Sequence, residues 1–389
     1  MKRFGFFLVL SALALCLTLS PAEAKYMLVG NDEKMAWDEE GKTYNLPSGK
    51  DTVQIFDISE GGTEPKLVVT LELMNSVSGP PTNMQITKDE KLALIANSMD
   101  WEQKDGKWTA VPGKKIYVID MEANPPKLLT TVESGGLQPS GLAINRAGTL
   151  ALVANRKDNS VSVFSIKDKV VTLVDTVPME EQVSGVAITP DGTRAWVVKN
   201  LSHKLALLNI DGEKVTPAKF EIPVMWPYNV DIAPNGELAF GPGMGGPGAS
   251  SGHVDTVSVI DMTQNPPRVI DRVAAGDGPE GFAVSPTGEY VAAVNIRGSN
   301  VATDSWFYNK NGTVSLLKVD GKKVTKVNEV EVGALPEGVV WSPDGKWLYV
   351  GNFTDKNMSV LKIEDGKLVD SGVKVPLAGS PASMRGPVN

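Results

Sequence analysis

Short stretches in which apolar residues alternate with polar ones, or run on unbroken, fill the chain from Tyr26 to Met384. Glycine, proline, aspartate and asparagine separate them. That texture predicts β-strands joined by tight turns, with no long helix. The stretches form a repeated unit. It opens on Pro-x-Gly or a relative, continues as an apolar strand, and turns at Pro-Asp-Gly or a relative. A second strand follows, ending in Asn, and then a third of the type VSVID. Pro139-Ser140-Gly141 leads in this way to Arg146-Ala147-Gly148, Leu152-Val153-Ala154-Asn155 and Val161-Ser162-Val163-Phe164. Pro279-Glu280-Gly281 and Pro336-Glu337-Gly338 open two further clear copies. Units begin at positions 81, 139, 183, 227, 279, 336 and 381, between 44 and 58 residues apart. Several short strands per unit at such a period predict a β-propeller.

The two ends of the chain set the blade count. Tyr26-Met27-Leu28-Val29-Gly30-Asn31 reads as a second strand without its first. Gly379-Ser380-Pro381-Ala382-Ser383-Met384 reads as a first strand without its second. Joined, Tyr26–Asp57 and Gly379–Met384 make one blade, which hides edges that would otherwise lie open. The fold expected is all-β: a seven-bladed propeller of four-stranded blades, closed by N- and C-terminal strands sharing one blade.

Leu348-Tyr349-Val350-Gly351-Asn352, Ala151-Leu152-Val153-Ala154-Asn155 and Tyr26 to Asn31 resemble the YVTN-type repeats of secreted β-propellers. The resemblance covers residues 25–389. It implies the fold, and its relatives include sugar-lactone hydrolases, the heavy subunit of methylamine dehydrogenase and surface proteins with no known reaction. The repeated Asn reads most simply as structural, closing the second strand by side-chain hydrogen bonds to nearby backbone.

The first residues add a location. Met1-Lys2-Arg3 is basic, Phe4 to Leu19 is apolar, and Ala22-Glu23-Ala24 has the form of a cleavage site. Residues 1–24 therefore read as a signal peptide, with residues 25–389 as the propeller, and the protein as periplasmic or secreted. Cys16 is the one cysteine, so residues 25–389 rely on a large core and not on disulfides. The net charge is −8 and no basic run stands out, which argues against nucleic acid as a partner. After cleavage no membrane span is expected.

Departures from the repeat point to function, because insertions in repeat proteins gather on one face. Numbering the shared blade as blade 1, the connection from the second strand to the third is short in blades 3, 4 and 7. It is long in blades 1, 2, 5 and 6: Asn31 to Val53, Asn97 to Ile116, Gly241 to Val257, and Asn295 to Val314. Two raised walls with a groove between them are expected. Trp37, Trp101, Trp108 and Trp306 lie in these insertions, and Trp226 in the entry to blade 5. Aromatics there suit sugar rings or a protein partner; each could equally fold over its own blade as a satellite core. The glycine-rich run Phe240 to Gly252 lacks the G-K-[ST] ending of a phosphate loop and reads as a flexible hairpin, with a lid over the channel as the alternative.

Two histidines and no cysteine beyond Cys16 leave no zinc set and no cofactor signature, so no metal and no cofactor are assigned. First-strand entries crowd a propeller's axis. They carry Asn83, Gln138, Asn229, Glu280 and Glu337, with Arg156, Arg297 and His203 close to repeat asparagines. Glu280 and Glu337 hold equivalent places in adjacent blades. They are either plain solvated repeat residues or a pair with raised pKa fit for proton transfer. The main reading is a binding or scaffold propeller presenting an aromatic groove to a protein or saccharide-like ligand, through Asn83, Gln138, Arg156, Trp226, Asn229, Trp101 and Trp306. The alternatives are a hydrolase of a small sugar-like lactone, with Glu280, Glu337, Arg297 and His203 as its catalytic set, and a subunit of a periplasmic dehydrogenase. Pro81-Thr82-Asn83 departs from the Pro-x-His element that the resemblance implies for propeller lactonases.

Overall fold

Each predicted unit forms a four-stranded antiparallel sheet, and seven such sheets stand around one axis. A computed structural model describes residues 25–246 and 250–389; the segment read as a signal peptide lies outside them. Innermost strands are Pro381–Arg385 in blade 1, Met84–Ile86 in blade 2, and Pro139–Ile144, Val186–Ile188, Asp231–Ile232, Pro279–Val284 and Pro336–Trp341 in blades 3 to 7. The shared blade is as expected. Pro381–Arg385 pairs with Tyr26–Asn31, which pairs with Thr52–Asp57 and then Lys66–Leu71.

Position within a blade sets the sequence pattern. Second strands are covered on both faces by neighbouring blades and are largely apolar up to the Asn that closes most of them; all of Leu150–Asn155 is buried. Outermost strands face water, and Lys66–Leu71 has no fully buried residue. Each of the seven blade interfaces holds one cluster of buried Val, Leu, Ile and Ala. The repeat asparagines are structural. Asn155 donates to the Ser160 and Ser162 hydroxyls at 3.1 and 2.8 Å, and Asn295 and Asn352 bond to third strands in the same way. The Pro-x-Gly glycine exists for crowding at the axis. A Cβ on Gly281 would overlap the carbonyl oxygen of Glu337 in the next blade, and one on Gly338 the backbone nitrogen of Met384.

The insertions lie on one face but do not form two separate walls. Blade 1 carries a hairpin, Met35–Trp37 with Thr43–Asn45. In blade 2 the middle strands lengthen to Leu92–Lys104 and Lys107–Asp120. Asn45 Nδ2 donates to the Trp108 carbonyl at 3.1 Å, joining these two. Gly41 packs on Val301 and Ala302, and Thr303 N donates to the Glu39 carbonyl at 3.1 Å, so the blade 1 hairpin reaches across blade 7 to the blade 6 insertion. The blade 5 run is tied to blade 6: Ser251 and Gly252 amides donate to Asp277, and Gly298 N to Ser250 Oγ. The result is a horseshoe closed over blade 7 and open over blades 3 and 4. Only the short loops of blades 3 and 4 leave an entrance.

Candidate active site

The middle residue of each Pro-x-Gly, or its counterpart, sits at one level around the axis. Blades 6 and 7 contribute Glu280 and Glu337, blade 5 contributes Tyr228, and blades 2 to 4 contribute Thr82, Ser140 and Ser184; Ala382 of blade 1 completes the ring. One side of this upper ring is small and hydroxylated. The other holds two carboxyls and a phenol. Arg156, just past the second strand of blade 3, reaches in from the open side. Its guanidinium carbon lies 5.6 Å from the centre of the Tyr228 ring, its Nε is buried without a hydrogen-bond partner, and its backbone amide is held by the Gln138 carbonyl at 3.0 Å.

Above the carboxyls the loops close an apolar cover. Met244, Ile296, Leu335 and Phe353 pack with Ala382 into a buried cluster, and Trp37 and Trp226 lean against it. Trp37 meets Phe353 edge-on at 5.3 Å. The cover takes water away from both acids: Glu280 is 7 % exposed and Glu337 3 %. Burial therefore pushes the Glu280 carboxyl up to about 8, with the Arg156 charge working against that rise. Glu337 is raised well above the ordinary carboxyl range by burial and then by the neighbouring Glu280 charge. Its Oε2 has no partner. Tyr228 is raised to about 12, by burial first, and stays a neutral donor. At neutral pH both carboxyls therefore hold most of their protons, and Glu280 gives its proton up near 8 while Glu337 keeps its own. Of the two readings of this pair, the solvated one is excluded by its burial.

The other predicted site residues scatter. Arg297 turns outward and pairs with Glu331 on the outermost strand of its blade at 3.4 Å. His203 accepts the Trp226 backbone N–H at Nδ1 (3.1 Å) and packs edge-on against that indole at 4.9 Å, so it positions the blade 5 entry. Asn83 and Asn229 occupy the glycine place of the motif and are buried. Asn83 Nδ2 donates to Asn75 Oδ1 and to the Ala96 carbonyl. Trp101 is 7 % exposed and lies over the Lys34 ammonium at 4.9 Å; that lysine is itself buried between Asp32 and Asp51. It is a satellite core. Trp306 remains open, 75 % exposed, beside His253 and Phe307. Trp226 is half-buried against the cover, and Gln138 is half-buried with its carbonyl on the Arg156 amide. Tyr228 was not singled out from the sequence, although its place in Pro227-Tyr228-Asn229 matches that of Glu280 in Pro279-Glu280-Gly281. Among the described residues no group of three or more His, Cys, Asp or Glu is arranged to hold a metal, and no helix is long and apolar enough to cross a membrane.

Residues 49–234 match the family described as lactonase, 7-bladed beta-propeller. A search of curated protein sequences finds no match. Among solved structures, a Bacteroides fragilis protein provisionally assigned as a 6-phosphogluconolactonase superposes with a TM-score of 0.70 at 20 % identity, over 95 % of this chain and 99 % of that one. The periplasmic gluconolactonase of Pseudomonas aeruginosa gives 0.67 at 17 %, over 94 % and 99 %. The hydrazine synthase of Kuenenia stuttgartiensis gives 0.60 at 18 %, over 80 % and 91 %. At these identities the likeness is one of fold.

Proposed function

Since this chain is a lactonase-like seven-bladed β-propeller, we propose that it opens a small sugar-like lactone at the upper ring, using Glu280 and Glu337 as a base and acid pair. The carrying observation is the burial of these two carboxyls side by side under an apolar cover, within reach of one cation. The site has the make-up of a small-molecule pocket, apolar walls with a few convergent polar groups. A sugar ring lies with its carbon face on Trp226 and the cover, and its hydroxyls toward Thr82, Ser140 and Ser184.

The chemistry follows from the proton count. Glu280, ionised, takes a proton from water as its oxygen attacks the lactone carbonyl. Arg156 and the Tyr228 hydroxyl donate to the oxyanion that forms. As the ring carbon–oxygen bond breaks, Glu337 gives its proton to the departing ring oxygen. The product is the open hydroxy acid. The proton gained by Glu280 passes to Glu337 and restores the starting state. Residues 1–24, with the form of a signal peptide, support a periplasmic site of action, and the periplasmic location named for the Pseudomonas relative supports it too.

The test is turnover of aldonolactones by the purified chain, corrected for spontaneous opening. E280Q should lower kcat/KM by about 10²–10⁴-fold, the usual worth of a general base. The wild-type rate should rise with pH through about 8, where Glu280 ionises. If wild type and E280Q open every aldonolactone at the same rate, the hydrolase reading fails. Capture of one stoichiometric partner would then restore the binding reading, for which the exposed Leu201, Met225, Val254 and Trp306 on the loop face are the available surface.

A further inference from the structure

The channel has a second ring. It is formed by the residue three places after the upper ring in each innermost strand, close to the face away from the insertions. Three members are polar, Gln85, Asp231 and Arg385, and the rest are alanine or valine. They line a cavity of about 110 Å³. Residues 386–389 pass along its edge, where Val388 N donates to the Ile86 carbonyl at 3.1 Å.

Most polar groups around this cavity are already engaged. Gln85 Oε1 accepts from Ile144 N at 2.8 Å. Asp231 accepts from Ile232 N and Val284 N, both at 2.9 Å. Arg146 spends its guanidinium on the main-chain oxygens of Asn389 and Pro234, at 2.7 and 3.0 Å. The Arg385 guanidinium is the exception. It lines the cavity, feels the Asp231 charge across it, and makes no hydrogen bond or ion pair with any described residue. A guanidinium brings five donors in a planar fork that matches a carboxylate. The side chain is half-buried, so its donors stay open to a ligand that enters the cavity.

We infer that this lower ring is a second ligand site, taking a small monocarboxylate of two or three carbons, with its carboxylate on Arg385 and a hydroxyl toward Gln85 and Asp231. The size follows from the cavity, which is smaller than the roughly 150 Å³ that admits benzene. The ligand's charge follows from the one guanidinium whose fork is open: Arg146 also lines the cavity but its donors are spent on main-chain oxygens, so Arg385 alone offers a bidentate seat, and that seat fits a single carboxylate. The alanine and valine members provide an apolar wall for the carbon skeleton. Burial pushes the Asp231 carboxyl up toward its proton-bearing form, in which it repels a monoanion less.

The test uses the full chain from residue 25 onward and sodium glycolate as probe, in calorimetric titration and thermal unfolding at constant ionic strength. Sodium chloride, sodium phosphate and ethylene glycol serve as comparisons. Glycolate should bind saturably and raise the melting temperature, while chloride and ethylene glycol should not. R385Q should weaken glycolate by at least about tenfold, the loss of a charge-assisted bidentate contact. A283L, which fills the cavity and leaves Arg385 in place, should abolish the response, so the idea does not hang on one charge variant. E280Q should bind glycolate as wild type does, which separates this site from the upper ring. The inference is overturned if R385Q and A283L respond like wild type, if E280Q abolishes the response, or if glycolate acts no differently from chloride. A response to phosphate alone would also overturn it.

Discussion

At the scale of single residues, the decisive change on folding is the removal of water from Glu280 and Glu337. A carboxyl whose pKa rises on folding holds its proton more tightly in the native state. Its contribution is therefore complete below the ordinary carboxyl range, and is lost as pH rises from there through the folded value. For the pair that window runs from about pH 4, where unfolded carboxyls titrate, to beyond about 8. E337Q removes the charge without changing the shape. It should match wild type in thermal stability near pH 4. By pH 9 it should melt higher by roughly 2–4 °C, the shift that about 1 kcal/mol gives in a domain of a few hundred residues. A scan of melting temperature against pH for both proteins measures this. Equal pH dependence in the two would mean that Glu337 is not a buried acid. Arg156 stands at the edge of the cover, against the Tyr228 ring, whereas Arg297 is paired with the exposed Glu331.

At the scale of the element, the first strand of each blade does two jobs with one motif. Proline and glycine bring adjacent strands close at the axis, and the residue between them faces the channel. Where glycine is present there is no room for a Cβ, as at Gly281 against the Glu337 carbonyl. G281A should force blades 6 and 7 apart just where the acids meet. The expected result is a fall of several degrees in melting temperature, in line with about 1–3 kcal/mol for overpacking. The rise of activity with pH near 8 should also be lost, because water would reach the pair. Thermal unfolding and a pH–rate profile of G281A read both effects. Destabilisation with an unchanged profile would break the link between strand spacing and the acids.

At the scale of the whole molecule, closure and the horseshoe are properties of the assembled ring. Pro381–Arg385 supplies the innermost strand of blade 1 and pairs with Tyr26–Asn31. Removing residues 381–389 should bare the edge of Tyr26–Asn31, open the interface between blades 7 and 1, and lead to association. Light scattering after size-exclusion chromatography checks this; a monodisperse monomer with an unchanged melting temperature would contradict it. The horseshoe likewise depends on contacts between blades that are not neighbours, Gly41 with Val301 and Ala302 across blade 7. It leaves blades 3 and 4 as the entrance, which is where Arg156 stands.

Much of this protein was legible in its residues, and the reason is physical. A propeller repeats one set of strand pairings, so apolar second strands, Asp-Gly turns and strand-ending asparagines recur with it. The shared blade could be read from two unmatched strand halves, at Tyr26 and at Pro381. The face carrying the insertions, and the equivalence of Glu280 and Glu337, followed from counting within the repeat. Tyr228 in the upper ring, and Asp231 and Arg385 in the lower one, also stand at fixed places in the repeat, each a departure of one side chain. Other features no local pattern could settle. Whether two glutamates are wet or dry depends on Leu335 beside Glu337 and on Met244 and Phe353, which arrive from two other loops. Whether Arg297 or Arg156 faces the axis depends on the turn of one loop residue. Strand pairing is local and periodic, and so the chain itself specified the blades. Desolvation is set by everything that packs overhead, and so only the closed ring decided where the acids lose their water and which arginines come to face the channel.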